Sequence, residues 1–96
     1  MIIRIAGAAA RLEDVENLKG FKVVADSAEP TALSAALAGA GRLDGEHAWI
    51  NEAWLRANTA SQGADWQANF EKMLAYAQSK GWIENGSIRA HIERPG

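Results

Sequence analysis

Residues 65–93, DWQANFEKMLAYAQSKGWIENGSIRAHIE, decide how this chain is read. Trp66, Phe70, Met73, Leu74 and Ala77 recur at helical spacing, which gathers them within an arc of about 100° at 3.6 residues per turn. The spacing predicts a helix over residues 65–80. Asp65 is expected to cap its start. Gly81 supplies the left-handed residue that ends it, and Trp82 follows to fold back on the last apolar turn. Asn85-Gly86 then lies between apolar segments, the strongest local signal for a two-residue β-hairpin. That loop pairs Glu84 with Ser87 and Ile83 with Ile88. Ile88, Ala90 and Ile92 face inward, and Arg89, His91 and Glu93 face outward.

Upstream, Ile2 to Ala6 reads as a strand with Ile3 and Ile5 on one face. Leu12, Val15 and Leu18 recur every three residues, with acids early, Lys19 late and Gly20 as a stop, which reads as a short helix. A second strand is expected over residues 21–25 and a turn over residues 26–30, with Pro30 in the first turn of the next helix. Residues 31–40 read as an alanine-rich helix with Leu33 and Leu37 on its apolar stripe. A polar loop is expected at residues 42–46 and a short strand at residues 47–50. A short helix over residues 52–59 follows, N-capped by Asn51. Residues 94–96 read as a tail. The expected fold class is α+β in a single domain, residues 1–96. It has a small mixed or antiparallel sheet with one face covered by three to four helices, ending in a helix plus β-hairpin. The pattern leaves open whether the first two strands are parallel.

Composition excludes several chemistries. The 96 residues contain no cysteine, which removes disulfide scaffolds, Cys-based zinc sites, iron–sulfur clusters and thiol catalysis. No apolar run approaches the ~18 residues of a membrane span. The first residues read straight into a strand rather than into a signal peptide, so a cytoplasmic protein is expected. Ten Lys/Arg against twelve Asp/Glu give a net charge of −2, and residues 44–96, with seven acids and five bases, carry all of it. That sign argues against a nucleic-acid partner and gives no footprint for a membrane.

Motifs for nucleotide phosphates, for a serine nucleophile elbow and for a His-rich zinc site are all absent. No residue is nominated as catalytic or metal-ligating, and no cofactor is expected. Two groups of candidates remain. His47, Trp49 and Trp54 could line a ligand pocket, because Trp49 and Trp54 have no structural role assigned by local rules. Arg4, Lys22, Arg89 and His91 could form an anion-binding strip if their strands neighbour one another.

From about Thr31 onward the order helix, short strand, helix, helix, two-stranded hairpin resembles a winged-helix domain. Residues 70–83 look like the end of a recognition helix running into its wing. The resemblance covers roughly residues 31–93 and implies a DNA-binding regulator whose helix from Asp65 enters the major groove. The charge favours a different expectation, a non-enzymatic binding or protein-interaction module that associates with itself as a homodimer or larger, or with another protein. Four tryptophans in so short a chain suit such an interface. A small ligand-binding protein or enzyme with a pocket near His47 and Trp49 is the third reading.

Overall fold

The computed structural model describes residues 1–26 and 29–94. Strand β1 (Ile2–Ala6) turns back through Gly7 into β2 (Ala9–Glu13). A 3-10 turn (Leu18–Gly20) leads into β3 (Lys22–Ala25). Helix α1 (Pro30–Leu37) is followed by β4 (Gly41–Asp44), β5 (His47–Asn51) and α2 (Glu52–Ala57). Helix α3 (Ala64–Ser79) and the hairpin of β6 (Ile83–Glu84) and β7 (Ser87–Glu93) complete the order. The sheet runs β2-β1-β3-β7-β5-β4, with β6 paired to β7. β1 and β3 are parallel, as are β3 and β7, and the other pairings are antiparallel.

This architecture corrects the expected one. A sheet with one face layered by three to four helices is not present; among the described residues a mixed sheet curls around the core and three helices are spread along it. Among the described residues, strand pairing joins its two halves, β2-β1-β3 and β7-β5-β4, where Val23 and Val24 lie beside Ile92 and Glu93. Inside the curl, Ile3, Ile5 and Val23 from one half meet Ala48, Ile50, Ile88 and Ile92 from the other. Leu33 and Leu37 of α1, Leu55 of α2, and Trp66, Phe70 and Leu74 of α3 fill the space between. α1 lies against β1, β2 and β4, bridging the two halves, whereas α3 lies against the 3-10 turn and β6. No helix of the described residues is long and apolar enough to cross a membrane.

The chain from residue 9 to residue 20 is the main local correction. The helix expected there is a strand, because residues 9–13 hydrogen-bond to β1 in a register that sets Ala6 opposite Ala9 and Ile2 opposite Glu13. Gly7, at φ +60°, permits the tight reversal that brings β2 back along β1. Ala10 and Leu12, two apart, then pack on the core, and Leu18 joins them from the 3-10 turn. The three-residue spacing of Leu12, Val15 and Leu18 was therefore not a helical stripe. Residues 42–46 are likewise not simply a loop. Gly41–Asp44 pairs with β5, and Gly45, at φ +61°, makes the turn.

The decisive stretch forms as a helix and hairpin, as its sequence predicts, but Gly63 and not Asp65 holds the N-cap position, and Asp65 lies in the first turn. Trp66, Phe70, Leu74 and Ala77 are the buried residues of α3. At its end, the Trp82 N–H donates to the Ala77 carbonyl at 2.9 Å and the Gly81 N–H to that of Gln78 at 3.1 Å, with Gly81 at φ +76°. These are the paired bonds of a Schellman cap. Asn85 and Gly86 both have positive φ, as the tightest hairpin turns require, and Ile83 lies opposite Ile88. The turn expected at residues 26–30 and the tail at 94–96 fall partly outside the described residues.

Candidate functional site

Strand β7 positions the site because it is partnered unevenly. Along one side it is paired with β5 over its length from Ser87 to His91. Along the other side β6 takes Ser87 and Ile88, and β3 takes Ile92 and Glu93. Arg89, Ala90 and His91 have no strand beside them there; the Arg89 N–H donates instead to the Trp82 carbonyl at 2.8 Å. The break is structural, since β6 is only two residues long and β3 enters the sheet from the 3-10 turn.

A cleft of about 960 Å³ opens at this break, between the sheet, the 3-10 turn and one side of α3. Leu18, Phe21, Met73, Ala77, Trp82 and Ile88 give it apolar walls. Tyr76 stands at its edge, 57% exposed, with its ring 5.8 Å from that of Trp82 in an edge-to-face arrangement. Lys19, Lys72 and Arg89 bring three cations to the cleft, and Glu16 is the one acid among the described lining residues. The ion pairs formed among the described residues use other cations, Arg4, Arg11, Lys22 and Arg56. The site is therefore electropositive in a chain whose net charge is −2. His47 and His91 complete the lining, their rings 5.7 Å apart.

The two groups of sequence candidates are divided by the fold. Arg4, Lys22, Arg89 and His91 all lie on the face of the sheet turned away from the core, because their neighbours Ile3, Val23, Ala90 and Ile92 are buried in it. Yet Arg4 is held by Glu13 at 3.0 Å and Lys22 by Glu93 at 3.0 Å. The Arg4 side chain, hydrogen-bonded to the Glu13 carboxylate, holds that group below the usual carboxylate range, and Arg11 adds to the effect against the opposing influence of desolvation. Only Arg89 and His91 of the four reach the cleft.

Of the other three, His47 is at the cleft. Trp49 is buried on the outer face, with Arg42 stacked 5.3 Å from its ring and its Nε1–H donating to Asp44 Oδ2 at 2.9 Å. Trp54 packs half-buried against the core. Neither of these indoles lines the cleft.

Sequence reasoning missed Lys19, Phe21, Lys72, Tyr76 and Trp82 as site residues. One signal was present: Asn69, Lys72, Met73 and Tyr76 form a second stripe on α3 at i, i+3, i+4 and i+7, beside the core stripe, and all four line the cleft. Among the described residues no group of three His, Cys, Asp or Glu side chains is gathered as a metal cluster. No family model, curated protein or solved structure matches this chain.

Proposed function

We propose that this protein is a non-enzymatic binding protein and that the cleft beside α3 receives a small anionic ligand with an apolar body. One observation carries the reading. Three cations free of ion pairs among the described residues converge on apolar and aromatic walls, in a chain of net negative charge. Lys and Arg at the rim suit a carboxylate, sulfonate or phosphate, and Phe21, Tyr76 and Trp82 offer faces and edges to a ring or alkyl chain. A volume of about 960 Å³ is within the range of small-molecule sites.

The test uses 8-anilinonaphthalene-1-sulfonate, an anionic aromatic probe. Saturable binding at one site is expected, with amide shifts confined to the 3-10 turn, α3 residues 69–77 and β7. The double substitution Lys72→Gln, Arg89→Gln should weaken binding by about tenfold or more, because charged hydrogen bonds are each worth about 1.5–3 kcal/mol. Unchanged affinity in that variant, or shifts that map elsewhere, would refute the assignment.

A further inference from the structure

We infer that His47 and His91 form a two-imidazole site for a divalent transition-metal ion at the edge of the cleft. The two residues are far apart in the chain and are brought together by the β5–β7 register, which sets His47 directly opposite His91. The Ile92 N–H donates to the Glu46 carbonyl at 3.0 Å, so the hydrogen-bonded pair is the neighbouring one, Glu46 with Ile92. His47 and His91 are thus a non-hydrogen-bonded pair, the class in which opposed side chains approach most closely.

Their ring centres are 5.7 Å apart. Two imidazoles on one tetrahedral ion, with metal–nitrogen bonds of about 2.0–2.1 Å, place their ring centres roughly 5 Å apart. The separation of the rings is therefore close to that of a chelate, which forms when each ring, now edge-on to the other at 70°, turns one nitrogen toward a common ion. Neither imidazole is engaged by a hydrogen bond or ion pair from the described residues, so both keep their nitrogens for a ligand. Asp44 lies opposite His47 on β4 and adds negative charge on that side, although its Oδ2 already accepts from Trp49. Lys22, on strand β3, is neutralised by Glu93 at 3.0 Å, whereas Arg89, two residues along β7 from His91, is in no ion pair among the described residues.

Imidazole selects zinc, nickel and copper over magnesium and calcium, which prefer oxygen. With two protein ligands and water in the remaining positions, the site should bind in the micromolar range rather than as a structural zinc centre.

The experiment is a titration of tag-free protein with Zn²⁺ alone, without any anionic ligand, followed through the imidazole resonances and by calorimetry. One equivalent is expected to shift both His47 and His91. Either His47→Ala or His91→Ala should weaken binding on the order of a hundredfold, since the second ligand then no longer acts intramolecularly. Zn²⁺ should raise the melting temperature of the wild type and leave that of the double variant unchanged. His91 is exposed and His47 only half-buried, so these variants keep the core intact. Wild-type affinity in either single variant, an equal response to Mg²⁺, or no localised shift at millimolar Zn²⁺ would overturn the assignment. The result is independent of whether the cleft binds anions.

Discussion

Replacement of Phe70 by alanine is expected to lower the stability of the fold by about 3–5 kcal/mol, the range for truncating a buried aromatic. Phe70 has no exposed surface. Its ring stacks on Trp66 with the ring centres 5.2 Å apart and only 12° between the planes, and the Arg56 guanidinium lies over the Phe70 ring, 5.2 Å from its centre. Alanine would remove the partner of both groups and leave a void between α3 and the curled sheet. Trp66 is held separately, because its Nε1–H donates to the Val15 carbonyl at 2.8 Å, so it is poorly placed to collapse into the space. A domain of this size has about 5–15 kcal/mol in total, so the variant should be marginal. The urea midpoint measures this. A loss below about 1 kcal/mol, the typical cost of an average substitution, would show that this stack is not central to the core. Tyr76→Ala, at a residue 57% exposed on the same helix, is the control and should cost far less.

Gly41→Ala should be comparably damaging for a different reason. A Cβ at Gly41 would lie 1.9 Å from the Trp49 carbonyl oxygen, 2.9 Å from its carbon and 3.0 Å from the Ile50 Cα. All three are backbone atoms of β5, so no side chain can rotate away. Gly41 is paired with Ile50, which has no exposed surface, and β4 would have to part from β5 at this point. The expected loss is about 3 kcal/mol or more, at or beyond the upper end for overpacking. Gly39→Ala is the matched comparison, since nothing lies within 4 Å of its added Cβ. Equal denaturation midpoints for the two variants would show that β4 can shift without cost.

These two positions also show what was readable in the sequence. Phe70 was assigned to the core because α3 carries its apolar residues on a single helical stripe, and its terminal glycine and the Asn85-Gly86 turn act over a few residues. Local chemistry is sufficient for such elements, and it placed even the Ile83–Ile88 register. Gly41 fell between the helix expected at residues 31–40 and the loop expected at residues 42–46, because nothing nearby in the chain shows that the Trp49 backbone will press against it. Residues 9–13 failed for the same physical reason. Their extended form is stabilised by pairing with β1, a gain that short-range spacing does not display. The cleft is less legible still, since its cations come from the 3-10 turn, α3 and β7, and converge only through the curl of the sheet. His47 was singled out for its nearness in sequence to Trp49, yet its neighbour in space is His91.

The late place of β7 in the chain bears on how the protein is made. β2, β1 and β3 can assemble early during synthesis, but the parallel edge of β3 then stays open until β7 arrives. The same strand is the seam for β5 and β6. The emerging polypeptide therefore carries two incomplete half-sheets with unsatisfied edges, the form most prone to pairing with another chain. Closure depends on contacts between distant parts of the chain, which favours a slow, all-or-none final step. A nascent chain held on the ribosome before residue 87 would lack the strand that joins the halves, and would be a natural client for chaperones.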